Sequence, residues 1–307
     1  ITMIDKKMQG VKYALWIFLL SAPIILTSET KYWTGSVNSR WSRLLNWNPW
    51  GAPLITDPVI IQSGLTIYPY VDADGDCQSL TIESGAGCTL RVADADLRCD
   101  GDVNIKSGGG LVISNACSLL VTGTWVDSGS FTHTGGWVVF VGSNCQCYKE
   151  TFYNLIIRPR GAMTSAVLQL APSETIKVTN SFLIESGATF YGGNGSVFIT
   201  YSWTNNGTFD CQTGKVVLKT PNVPVETYYD LEIDTNCTLQ GDITVKHNLK
   251  INSGRTLNVG SYTIYVEGDF INEGTFNGGT GKVVFNGTGN QSVKMTNGSF
   301  NDFEVNK

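Results

Sequence analysis

Along the last third of the chain, apolar residues come in pairs separated by one polar position: Ile243 and Val245, Leu249 and Ile251, Leu257 and Val259, Ile264 and Val266, Val283 and Phe285, Phe303 and Val305. A period of two is a strand signature, because successive side chains of a strand point to opposite faces. Asn252-Ser253-Gly254, Asn277-Gly278-Gly279 and Asn286-Gly287 stand between the bursts; these residue types tolerate positive φ or bond their own backbone in turns. No segment beyond the N-terminal region shows a helical period. The elements predicted are very short strands, about nine in roughly 65 residues, which divide into three coils of about 22 residues, a length typical of solenoid repeats.

Self-comparison supports the same division. Thr124-Trp125-Val126-Asp127-Ser128-Gly129-Ser130-Phe131 aligns with Ser202-Trp203-Thr204-Asn205-Asn206-Gly207-Thr208-Phe209 and with Asp269-Phe270-Ile271-Asn272-Glu273-Gly274-Thr275-Phe276. Each block is followed by a strand opening at Gly136, Gly214 or Gly281, positions 78 and 67 residues apart. Ile-x-Ser-Gly recurs at Ile82, Ile105, Ile184 and Ile251, and the steps Ile82 to Ile105 and Cys77 to Cys99 are 23 and 22 residues. Each such step is one coil, which stacks like residue on like. The fold expected is all-β, a parallel β-helix or β-solenoid. Three β-sandwich domains are the alternative, disfavoured because sandwich strands are longer and turn every 8–12 residues.

Trp33-Thr34-Gly35, Asn38, Trp41, Asn46-Trp47, Asp57-Pro58-Val59-Ile60-Ile61, Cys77 and Leu80-Thr81-Ile82-Glu83-Ser84-Gly85 precede the Gly-Thr-Phe and Gly-Lys-Val-Val-Phe repeats. Together they resemble exported bacterial β-solenoid proteins with adhesin-like stalks, over residues 31–307. The resemblance implies fold and surface location rather than an activity.

The N-terminal region changes the picture of the compartment. Lys6, Lys7 and Lys12 precede an apolar run from Tyr13 to Leu20 and then small and polar residues, the three parts of a secretory signal. Tyr13 to Leu26 is too short for a span of about 20 residues and is interrupted by Pro23, so no stable membrane span is expected after cleavage. The division expected is a signal peptide over 1–28, a Trp-rich cap over 29–76, and solenoid repeats over 77–307 that continue beyond Lys307, because the sequence stops directly after a repeat strand. The location expected is secreted or cell-surface.

Composition narrows the function. With 21 Lys and Arg against 26 Asp and Glu the net charge is −5, which argues against a nucleic-acid partner, since such binding neutralises phosphates with a basic face. Only His133 and His247 are available as histidines, so a His-centred catalytic or metal site is not expected. The eight Cys are an even number, which permits disulfides in an exported chain; their pairing stays open. Cys145 and Cys147 form C-x-C rather than a zinc-type C-x-x-C.

Two groups of residues are candidates for chemistry. Trp33, Trp41, Trp47 and Trp50 lie within 18 residues and form either a platform for sugar rings or a hydrophobic cover on the first coil, the cover being favoured. Asp72, Asp74 and Asp76 alternate around Gly75, and Asp94 and Asp96 follow one coil later. Stacked carboxylates would suit Ca²⁺, although solvated turn aspartates are the favoured account and no other cofactor is expected. Asp94, Asp96, Asp100 and Asp102 with Arg91 or Arg98 are the only cluster of the kind a polysaccharide lyase or hydrolase uses. The function expected is a non-enzymatic, adhesin-like module presenting a rigid surface to glycans or surface proteins, with exposed loops at 148–153 and 221–229 as sources of specificity. The carbohydrate-active enzyme is the alternative.

Overall fold

The computed structural model describes residues 27–307, so the expected signal segment lies almost wholly outside the described residues. Within them the backbone is short β-strands and turns, with one 3-10 turn at Leu44–Asn46, and no helix is long and apolar enough to cross a membrane. The chain is a parallel β-solenoid of about 12 coils, stacked about 21 residues apart. Pro58–Ile61, Tyr70–Val71 and Gly75–Cys77 begin three faces, and the next coil repeats them as Ser79–Ile82, Thr89–Val92 and Leu97–Cys99. Each strand pairs in parallel with its counterpart one coil on. Cys99 lies on Cys77 and Ile105 on Ile82, as the spacing predicted.

Alternation along each short strand sends every second side chain into the lumen. On the first face Val59, Leu80, Val103, Trp125 and Cys147 form one inward ladder. On the third, Leu97, Leu119, Val138, Leu155, Phe182 and Trp203 form another. All are buried, and full burial of each such side chain contributes roughly 1.5–3 kcal/mol. The predicted apolar pairs are likewise inward and buried, apart from Phe303 and Val305, whose strand pairs on one side only.

The repeated blocks have a physical origin. Asp127, Asn205 and Asn272 each accept, through Oδ1, the N–H of the glycine two residues on, at 2.7, 3.0 and 3.0 Å. A Cβ on Gly129, Gly207 or Gly274 would run into the carbonyl oxygen of Gly109, Ala188 or Arg255 on the preceding coil. The motif is a corner unit: an Asx turn tightens the bend, and glycine lets two backbones approach. Its three copies start on the first, third and second faces. The sequence period is therefore not a whole number of coils.

The long strands Glu150–Ile157 and Thr175–Ile184 each serve two faces. Residues 150–152 pair with 176–178, the register shifts between Phe152 and Asn154, and residues 154–157 pair with 181–184. Around this corner pairing lapses on the second face, where Ser130–His133 contacts Glu150–Ile157 without a ladder.

Candidate functional site

The first coil is closed by tryptophans. Trp47 meets Trp33 and Trp41 edge to face, with centroids 5.0 and 4.7 Å apart. Trp33 Nε1 donates to the Ile67 carbonyl and Trp47 Nε1 to the Trp41 carbonyl, both at 2.8 Å. All three rings are buried, while Trp50 is 78% exposed. Of the four candidate indoles, only Trp50 presents a face to solvent.

The aspartates follow the coil spacing but act chiefly on backbone. Asp72 accepts from the Ser42 N–H and hydroxyl at 2.9 and 2.7 Å; burial alone would raise its carboxyl, and these bonds outweigh it and hold it below the ordinary value. Asp74 accepts from the Asp96 N–H at 3.2 Å, Asp96 from the Ser118 N–H at 2.7 Å, and Asp102 from the Thr124 N–H at 2.7 Å. Each spans one coil as a staple. Asp76 is exposed, directed outward beside Arg98 of the next coil, and Asp94 is exposed at a bend. Among the described residues, no three His, Cys, Asp or Glu side chains are grouped to hold a metal ion. Asp100 pairs with Arg98 at 2.9 Å, and both line an open hollow of about 330 Å³ with Arg160.

A more open arrangement lies on the second face of the first coils. Arg40 bridges to Tyr70, which pairs with Arg91. Trp41, Val71 and Val92 beside them point inward and are buried, so alternation turns Arg40, Tyr70 and Arg91 outward in one row. Tyr70, Thr89 and Arg91, with Ser39, Tyr68 and Gly87, line a hollow of about 600 Å³. Its frame is tied by the Tyr70 N–H to the Ser39 carbonyl at 2.7 Å, the Trp41 N–H to the Tyr70 carbonyl at 2.9 Å, and the Arg91 N–H to the Pro69 carbonyl at 3.1 Å. The Tyr68 hydroxyl accepts from the Leu65 N–H at 3.2 Å. Gly87, at φ +83°, passes the edge of the Tyr68 ring. The Arg91 side chain is exposed and has no carboxylate partner among the described residues. Arg91 was legible as a cation near acids; Arg40, Tyr68 and Tyr70 were not. Their signal is the 21-residue step from Tyr70 to Arg91, one coil apart.

A third polar group sits at the lapse in pairing. Asp127 continues the Ile61, Ile82, Ile105 ladder, and His133 continues Val71, Val92, Ile113. Glu150 heads the ladder Ile176, Val197, Val216, Leu231, Leu249, Phe270. Glu150 is buried and accepts from Trp125 Nε1 at 2.8 Å and the Thr151 N–H at 2.6 Å. Burial, aided by the Asp127 carboxylate, pushes it up to about 8. Burial likewise lowers His133, whose Nδ1 lacks a partner. The sequence signal was a Glu in phase with Phe152.

All eight cysteines are buried free thiols. Burial pushes Cys145 and Cys211 up to about 11 and Cys237 to about 12, so they remain uncharged packing groups.

These features define a three-faced parallel β-solenoid whose lumen is filled by side chains and whose accessible chemistry lies on outward rows. Residues 32–135, about a third of the chain and the part that carries the Arg40, Tyr70 and Arg91 row, match a family described as a domain of unknown function (DUF8693). No curated protein and no solved structure matches the chain.

Proposed function

We propose that the protein is an exported, non-enzymatic module of secreted or cell-surface location, an adhesin-like β-solenoid that presents a rigid face to glycan partners. The observation that carries this reading is the hollow beside Tyr68, Tyr70 and Arg91, an aromatic and cationic surface held by backbone bonds on a stack of paired coils. Such a surface can bind sugars through CH groups on aromatic faces and hydrogen bonds from guanidinium, without moving a proton. Trp50 adds a second exposed ring in the same third of the chain.

The hollow at Arg98, Asp100 and Arg160 favours a second reading, a polysaccharide lyase or hydrolase. Its weakness is that Asp96 and Asp102 are engaged as staples between coils. A glycan-array and polysaccharide-degradation screen separates the two readings. Retention of a glycan with no shortened or unsaturated product is the outcome expected. Product formation that disappears in Asp100→Ala overturns the module reading in favour of the enzyme, and a screen that shows neither retention nor product overturns both. Recovery of the protein outside the cell, with a new N-terminus near residue 28, is the result expected for export.

A further inference from the structure

We propose that the row Arg40, Tyr70 and Arg91 with its hollow binds an acidic polysaccharide, a chain of pyranose rings bearing carboxylates. This inference rests on the glycan-module reading and specifies its ligand class.

Stacked parallel strands put partnered residues side by side, about 4.8 Å apart. Arg40 and Arg91 therefore flank Tyr70 on either side, both exposed, their backbones about 10 Å apart on one face. The fork of a guanidinium matches a carboxylate through two parallel N–H···O bonds, while the ring between them offers an apolar face to sugar CH groups. Cation, ring, cation is the complement of a polymer that alternates carboxylates with pyranose faces. A neutral glycan would satisfy the ring and leave both cations unused.

The neighbouring charges are consistent with this occupant. Asp72 lies near enough to Arg40 to feel its charge, yet spends both oxygens on Ser42. Farther along the same outward row stand Val112 and Thr132, so no acidic side chain continues the row. Thr89 beside Arg91 and Ser39 beside Tyr70 supply hydroxyls at the rim of the hollow, suited to sugar hydroxyls.

The test is the affinity of the protein for polygalacturonate against a neutral polysaccharide such as dextran, with Arg91→Ala, Tyr70→Ala and the double variant Arg40→Ala/Arg91→Ala. Because these side chains point outward, the variants should keep the unfolding midpoint of the parent, which is measured alongside. The expected result is preference for polygalacturonate, about tenfold weaker binding in Arg91→Ala, complete loss in the double variant, and weakening by salt. Arg91→Lys restores only part of the affinity, because an ammonium cannot form the paired bonds. Equal binding of both polysaccharides, or unchanged affinity in the double variant, overturns the inference and leaves the module reading standing. Retention of neither polysaccharide also overturns the inference, and the glycan array then decides the module reading separately.

Discussion

At Glu150 an inward ladder position holds a carboxyl where the next six coils hold Ile, Val, Leu and Phe. Its hydrogen bonds from Trp125 and Thr151 favour the charged form, but burial and the nearby Asp127 outweigh them and raise it from 4.5 to about 8. Below the unfolded value both states are protonated, and stability from this group is intact. Between 4.5 and about 8 the folded chain keeps a proton that the unfolded chain releases, so stability falls as pH rises through that window, by up to ~1.4 kcal/mol per pH unit. Urea unfolding at about pH 5 and about pH 7.5 should show a clear loss at the higher pH. Glu150→Gln, which keeps an acceptor for Trp125 Nε1 and cannot ionise, should flatten that slope. Parallel slopes in the two proteins would contradict the assignment. The same residue shows what the sequence conceals. An acidic letter in a strand reads as solvent-facing until the corner at Phe152 and Asn154 fixes which face it belongs to.

At the scale of elements, the corner unit joins two strands by an Asx turn and a glycine pressed on the coil before it. In Gly207→Ala the new Cβ meets the carbonyl oxygens of Ala188 and Glu185, both backbone atoms that cannot swing away. Overpacking of this kind costs about 1–3 kcal/mol, and the denaturation midpoint should fall accordingly. An unchanged midpoint would mean the coils are not in contact there. Much of this level was legible. The apolar pairs after residue 243, the glycine blocks and the Cys77 to Cys99 step each follow from local rules of alternation and turn chemistry, and they predict strands and coil length. The two corner strands were not legible: in Glu150–Ile157 the inward phase shifts from Glu150 and Phe152 to Leu155 and Ile157, and in Thr175–Ile184 the half-buried stretch Thr179 to Ser181 separates the inward pairs Ile176/Val178 and Phe182/Ile184, which lie on different faces. The Arg40, Tyr70 and Arg91 row was hidden for a related reason. Tyr70 sits in a two-residue strand and Arg40 in an isolated bridge, too short for alternation to show, so their alignment appears only when coils are stacked. The tryptophans were legible as a cluster; that Trp33, Trp41 and Trp47 turn inward and Trp50 outward follows from their packing on the first coil.

For the whole molecule, stability comes from the lumen more than from the surface. Lys215, Glu232, Lys250, Glu273 and Lys294 form a line of alternating charge, with contacts of 3.3, 3.6 and 2.8 Å for Lys215–Glu232, Lys250–Glu273 and Lys294–Glu273. Exposed pairs contribute about 0–1 kcal/mol each and are screened by salt. Phe182, stacked on Leu155 and beneath Trp203, is buried, and Phe182→Ala should cost about 3–5 kcal/mol. High salt should change the unfolding free energy much less than that variant does. Because each coil contacts mainly its neighbours, the stack behaves as a one-dimensional array, and distance along it should scale with coil number. Outward residues Lys177, Phe198, Val217, Glu232, Lys250, Ile271 and Lys294 occupy one row on successive coils. The buried native thiols leave introduced surface cysteines as the reactive sites. Spin labels at Lys177→Cys with Lys250→Cys, and at Lys177→Cys with Lys294→Cys, measured by pulsed dipolar spectroscopy, test the stack directly. The solenoid predicts backbone separations of ~19 Å across four coils and ~29 Å across six; a second distance equal to or shorter than the first would contradict it.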